Sequence, residues 1–165
     1  LLDNQDALAE LLTLEQGKSL TEAKGEIGMS AAYILWYAEE ARRTYGDVVP
    51  SPWADRRILV TKEPLGVIGA ITPWNFPSSM LARKIGPALA SGCTAVVKPA
   101  TQTPYSGLVW GALCEEVGIP KGVVNILTGS ASEIGGEITS NPLVRKITFT
   151  GSTEIGKILI KQAAD

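Results

Sequence analysis

The stretch Gly66-Val67-Ile68-Gly69-Ala70-Ile71-Thr72-Pro73-Trp74-Asn75-Phe76-Pro77 carries the information that sets the fold. Val67 to Thr72 is a short apolar run without polar alternation, the pattern of a strand covered by helices on both faces. It ends in a turn where two prolines flank an amide and two aromatics, and a helical pattern follows from Ser79 to Ala90. Strand and helix patterns then alternate: Thr94 to Lys98, Tyr105 to Val117, Val123 to Leu127, Ser132 to Thr139, Lys146 to Phe149 and Thr153 to Ala164. Gly92, Gly118 and Gly122 punctuate helix ends. This alternation predicts an α/β fold with a doubly wound parallel sheet.

Upstream of Gly66 the pattern is helical. Leu8, Leu11 and Leu12 open one helix; after Gly17, Thr21 is placed to cap a second, with Ile27, Ala31, Ile34, Ala38 and Ala41 on its buried face. Gly46 to Asp55, with Pro50 and Pro52, reads as an exposed connection, and Arg57 to Thr61 as a strand. The first residue is Leu1 and the last, Asp165, falls within a helical pattern, so both ends are expected to be cuts in a longer protein.

The 165 residues are 45% hydrophobic and 19% charged with a formal charge of −2, an ordinary globular composition expected to form one domain. Interspersed charges leave no footprint for nucleic acid or an anionic membrane, and no apolar run spans a bilayer. Partners are expected to be small molecules and the location cytoplasmic. Cys93 and Cys114 are expected to be free thiols. Without histidine, the chain cannot assemble a Ser-His-Asp or Cys-His site or a His-ligated metal, and no metal site is expected.

Ligands of such sheets bind beyond the carboxyl ends of the strands, so the loops after Thr72, Lys98, Leu127 and Phe149 carry the chemistry. The proline-bounded turn presents Asn75, whose amide suits an oxyanion; the alternative is an Asx-type corner with buried aromatics. Lys98, before Pro99-Ala100-Thr101, suits an anionic ligand; the alternative is a solvated strand-end lysine. Gly151-Ser152-Thr153-Glu154-Ile155-Gly156 runs from strand into helix, where free N–H groups favour a phosphate; Ser152 or Thr153 serving only as a helix cap is the alternative.

Gly151 and Gly156-Lys157 have the spacing of an NTPase phosphate loop, but Ile158 stands where a magnesium-binding Ser or Thr is required. The dinucleotide fingerprint G-x-G-x-x-G is absent from the strand-to-helix turns. Cys93, at the opposite end of its strand and without a histidine, reads as a structural thiol. Glu115 and Glu116 read as a solvated helix end. Local chemistry thus leaves the cofactor unnamed, with a non-catalytic nucleotide-binding module and, less favoured because of Ile158, a phosphate-loop NTPase in play.

ITPWNFP (71–77), GCTAVVKPAT (92–101) and FTGSTEIG (149–156), in this order, resemble the Rossmann-like cofactor domain of the aldehyde dehydrogenase family. Within it the likeness is to NADP-dependent succinate-semialdehyde dehydrogenases, and it extends over essentially the whole chain. The resemblance implies oxidation of a small semialdehyde to its acid: a cysteine thiolate attacks the aldehyde, hydride passes to the nicotinamide and water releases the acid. It assigns Asn75 to the oxyanion and Arg83 to the substrate carboxylate beside the cofactor. Cofactor contacts fall on Thr72, Pro73, Trp74, Asn75, Lys98, Pro99, Ala100, Thr101 and on Gly151, Ser152, Thr153, Glu154, Ile155 and Gly156.

Many NAD-preferring relatives carry a glutamate where Thr101 stands, so the expected cofactor is NADP, with NAD as the alternative. Ala131, where some relatives have glycine, is a departure. The family's nucleophilic cysteine and general-base glutamate match positions beyond Asp165, so residues 1–165 are expected to form a partial cofactor-binding domain, inactive alone. The full-length protein is expected to be a homo-oligomer acting on a small aldehyde.

Overall fold

The computed structural model describes residues 1–164. Two helices lead, α1 (Gln5–Gln16) and α2 (Leu20–Glu40), followed by the short strands β1 (Asp47–Val49) and β2 (Ile58–Val60). The α/β unit then runs β3 (Val67–Ile71), α3 (Ser79–Ala90), β4 (Thr94–Lys98), α4 (Tyr105–Glu116), β5 (Val124–Ile126), α5 (Ala131–Ser140), β6 (Val144–Phe149) and α6 (Thr153–Gln162). The four later strands form one parallel sheet in the order β5-β4-β3-β6. The chain therefore works outward from β3 to β5, then crosses back to lay β6 on β3's other side. The β3/β6 junction is the switch point where doubly wound sheets take their ligands.

Side chains alternate between the two faces of the sheet. Ile68, Ala70, Ala95 and Val97 pack with Leu81, Ala82, Ile85 and Trp110 of α3 and α4. On the opposite face Gly69 lies against Ile138 of α5, leaving no room for a Cβ. A second cluster, Leu8, Ala9, Leu12, Ala23 and Ile27, joins α1 to α2 behind α3 and α4.

The helical hairpin differs from expectation in two respects. Gly17 ends α1 in a left-handed conformation (φ 90°), but the cap of α2 is Ser19, not Thr21: Ser19 Oγ accepts from Glu22 N and the Glu22 side chain reaches back to Ser19 N. Ser19, Leu20 and Thr21 all precede the apolar stripe, and the reciprocal pairing with Glu22 selects Ser19. The buried stripe is Ala23, Glu26, Ile27 and Ser30, so only Ile27 of the expected face is fully buried and Ala38 is exposed. Helix α2 packs on α3 over most of its length, through Glu26 and Ser30 in its first half and Tyr33 and Tyr37, against Arg83 and Gly86, in its second.

Part of the expected connection at 46–55 is strand: Val48 opposes Leu59 in an antiparallel ribbon of β1 and β2, separate from the parallel sheet. Pro50 and Pro52 end β1 after the two valines, which is why the segment read as broken. Gly122 (φ 86°) shapes the turn into β5 and lies six positions past the end of α4, so it is not a helix-end residue. Both cysteines are free, Cys93 buried and Cys114 half-buried. No helix among the described residues is long and apolar enough to cross a membrane.

Helix α4 approaches the loop after β4 closely at Gly107, where an added Cβ would lie 2.7 Å and 2.9 Å from the Pro99 ring carbons. A proline ring cannot swing aside. Overpacking of this kind costs about 1–3 kcal/mol, against about 1 kcal/mol gained in helix propensity from Gly to Ala. Gly107→Ala is therefore expected to destabilise the chain by up to about 2 kcal/mol, read as a lower urea midpoint; a raised midpoint would contradict this packing.

Candidate functional site

The carboxyl ends of β3, β4 and β6 stand side by side, and backbone hydrogen bonds carry the ladder into the loops. Thr72 N donates to Lys98 O (3.2 Å) and Thr150 N donates to Ile71 O (3.1 Å). The Thr72–Pro77 turn, the Lys98–Thr101 loop and the Gly151–Gly156 turn therefore leave the sheet as neighbours. Thr72 is buried and its hydroxyl has no partner among the described residues.

In the proline-bounded turn Asn75 is exposed, and its side-chain amide makes no hydrogen bond among the described residues. Trp74 and Phe76 are 52% and 39% exposed. These exposures do not fit an Asx-type corner on buried aromatics. The backbone is nevertheless held: Lys18 Nζ donates to Asn75 O (2.9 Å) and lies 4.0 Å from the Phe76 ring centroid.

Lys98 is buried and not a solvated strand end. Its ammonium donates to Pro99 O (3.0 Å) and Thr101 Oγ1 (3.1 Å), and burial holds its pKa below the ordinary lysine value. A cation and a hydroxyl are thus paired at the edge of β4, with Pro99 fixed under Gly107.

Helix starts are where a sheet edge of this kind binds anions, and two of them are occupied by carboxylates from the leading helices. Glu26 Oε1 accepts from Ser78 N (2.8 Å) and Ser79 N (3.1 Å) at the head of α3. Glu15 accepts from Tyr105 N and Ser106 N at the head of α4. Neither helix has a cap of its own. The starts of α5 and α6 carry only local serine caps, Ser130 to Glu133 N and Ser152 to Ile155 N. Ser152 is therefore the cap of α6, and Thr153 is its first residue. An added Cβ at Gly151 would lie 2.5 Å from the tip of the Phe149 ring, so a side chain here would have to displace that ring.

Arg83 stands apart from the strand edge, a turn into α3. Its Nε donates to Tyr33 OH (2.6 Å) and its guanidinium lies 4.9 Å from the Tyr33 ring centroid. It borders an open groove of about 300 Å³ shared with Lys84, Lys146, Thr148 and Cys93. Cys93 lies at the amino end of β4, the far end from the loops described. Burial raises its pKa, but hydrogen bonds from Ser91 and from the backbone of Gly66 and Leu65 outweigh this and hold it below the ordinary value.

Four charged residues at this site went unnoticed in the sequence: Glu15, Lys18, Glu26 and Lys84. Lys84 is buried and donates to Thr148 Oγ1 (3.2 Å) and Thr150 Oγ1 (2.9 Å), tying α3 to the end of β6. Its position gave a signal, since Leu81, Lys84, Ile85 and Ala88 form one i, i+3, i+4, i+7 stripe. The same holds for Glu26 in the stripe Ala23, Glu26, Ile27, Ser30. No cluster of three metal-binding side chains occurs among the described residues.

Burial, and secondarily the Arg83 charge, lowers the Lys84 pKa to about 8. The unfolded chain keeps this lysine protonated to an ordinary pKa of about 10.4, so between those values it binds more protons than the folded one. Stability from this group should therefore rise as pH climbs from about 8 towards 10, and Lys84→Met should flatten that rise in urea midpoints taken across the window. A parental slope in the variant would show that Lys84 titrates normally.

A model of the aldehyde dehydrogenase family matches residues 1–165. The chain is 61% identical to glutarate-semialdehyde dehydrogenase of Pseudomonas aeruginosa over 99% of its own length and 34% of the relative's. It is 58% identical to succinate-semialdehyde dehydrogenase [NADP(+)] of Escherichia coli over the same shares, 99% and 34%. A crystal structure of succinate-semialdehyde dehydrogenase from Burkholderia pseudomallei superposes with TM-score 0.97 at 57% identity, covering 99% of this chain and 34% of that one. The chain spans about a third of the length of these curated relatives. Family match, identity and superposition agree with the loop arrangement at the β3/β6 switch point: this chain belongs to the aldehyde dehydrogenase family.

Proposed function

We propose that this chain provides the cofactor-binding part of an NADP-dependent dehydrogenase that oxidises an aldehyde bearing a distal carboxylate, succinate semialdehyde or a close homologue. The observation that carries the reading is the occupancy of helix starts. With Glu26 and Glu15 filling the heads of α3 and α4, the heads of α5 and α6 remain for a nucleotide phosphate, and that of α6 at Gly151–Gly156 is the one that follows β6 beside β3 at the switch point. The donor set fits such a ligand. Lys98 and Thr101 supply a cation and a hydroxyl two strands away from that turn, and no carboxylate at position 101 repels a 2′-phosphate.

Bound NADP supplies the hydride acceptor. The residues of this chain bind and orient. The Asn75 amide donates to the oxygen of the aldehyde as it gains negative charge, from a turn that cannot relax. Arg83, with its Nε committed to Tyr33, keeps its two terminal nitrogens for a two-pronged contact with the distal carboxylate. The attacking thiolate comes from the remainder of the full-length enzyme, which we take to be a homo-oligomer. Free cysteines fit a reducing compartment, and the cytoplasm is the proposed location.

The full-length protein should reduce NADP in the presence of succinate semialdehyde far faster than with an uncharged aldehyde of equal length. NADPH binding with no turnover of any aldehyde would leave a binding module instead. Thr101→Glu should shift the NADP-to-NAD affinity ratio towards NAD by about tenfold or more, about 1.4 kcal/mol; an unchanged ratio would sink the cofactor assignment. Asn75→Ala should lower kcat by about 10²–10³-fold with bound NADP retained; an unaltered kcat would remove Asn75 from the oxyanion role.

A further inference from the structure

Lys18 and Glu26 form a buried ion pair on elements that carry none of the proposed chemistry. Lys18 lies in the link between α1 and α2, and Glu26 on the inner stripe of α2. Their separation is 2.6 Å, and the side chains are 10% and 0% exposed. A carboxylate sealed from water needs full compensation. Glu26 obtains it from three donors: Lys18 Nζ and the amides of Ser78 and Ser79.

The ammonium does more than neutralise this carboxylate. Lys18 Nζ also donates to the carbonyl of Asn75 itself and sits over the ring of the next residue, Phe76. The segment from Asn75 to Ser79 is therefore held at both ends by one charged pair, with Pro77 stiffening the interval. A pair that only fastened α2 to α3 would have no need to reach the Asn75 carbonyl, 57 positions away in sequence.

We infer that Lys18 and Glu26 are positioning residues for the proposed reaction: they lock the backbone of Asn75 so that its side-chain amide stays aimed at the developing oxyanion. The inference rests on the oxyanion reading of Asn75. Preorganised donors act without reorganisation during reaction, and a misplacement of about 1 Å at such a group can cost about 100-fold in rate. Binding of the cofactor's phosphates, governed by the start of α6, does not pass through this pair.

The test uses the full-length enzyme, with kcat and KM for the semialdehyde and the NADP dissociation constant measured on each variant. Lys18→Met should lower kcat about 10–100-fold while KM and NADP affinity stay near parental. Lys18→Arg, which keeps a cation able to donate to both Glu26 and the Asn75 carbonyl, should recover most of the loss. In an Asn75→Ala background Lys18→Met should cause no further loss, because the group it positions is gone. Should Lys18→Met fail to fold, Lys18→Met/Glu26→Gln removes both charges together and retains an oxygen for the α3 amides; the same kcat loss is expected.

A parental kcat in the Lys18 variants beside a slow Asn75→Ala overturns the positioning role. So does an equal fold-loss from Lys18→Met with and without Asn75, which would mark a general structural effect. A parental kcat in Asn75→Ala itself instead overturns the oxyanion reading on which the inference stands.

Discussion

A buried carboxylate at the head of a helix is the constraint on which this architecture turns. Glu26 is removed from water and gives its oxygens to the first amides of α3 and to Lys18. Satisfying it requires α2, the α1–α2 link and the turn after β3 to meet at one point. Because the desolvated charge tolerates no loss of partners, the mutual placement of leading helices and sheet is specified far more narrowly than apolar packing among Leu8, Leu12 and Ile27 would require.

The same arrangement governs electrostatics at the edge of the sheet. Four helices follow four parallel strands, and each helix start carries partial positive charge. Glutamates from α1 and α2 cover the starts of α4 and α3, so the starts of α5 and α6 remain for an external anion. Two lysines with lowered pKa, Lys84 and Lys98, are buried nearby, each donating to at least one threonine hydroxyl and neither paired with a carboxylate among the described residues. Cations held in that manner retain their attraction for an incoming anion.

Much of this was legible without coordinates. Helix α3 and strand β4 fall where periodicity placed them, Ser79–Ala90 and Thr94–Lys98, because each is bounded by unambiguous punctuation: Pro77 and Gly92, then Pro99. The α2 cap was misplaced by two residues because Ser19 and Thr21 are chemically equivalent until Glu22 reaches back to one of them. The β1–β2 ribbon was half missed because both strands are short and wholly exposed, so no burial pattern marks them. Lys18, Glu26 and Lys84 escaped because a charged residue on a helix is ordinarily solvated; only their place on an apolar stripe, or against one, distinguished them.

The sequence by itself determined the alternation of strand and helix, the loops that bear the chemistry, and the rigidity of the turn at Asn75, since these follow from local periodicity and from proline and glycine backbone restraints. Tertiary structure alone decided that β6 lies beside β3, which helix starts are already filled, and which charges are buried. Those outcomes depend on residues far apart in the chain, such as Lys18 and Asn75 or Glu15 and Tyr105, meeting in space. No local pattern records which carboxylate will find which amide once the core has formed.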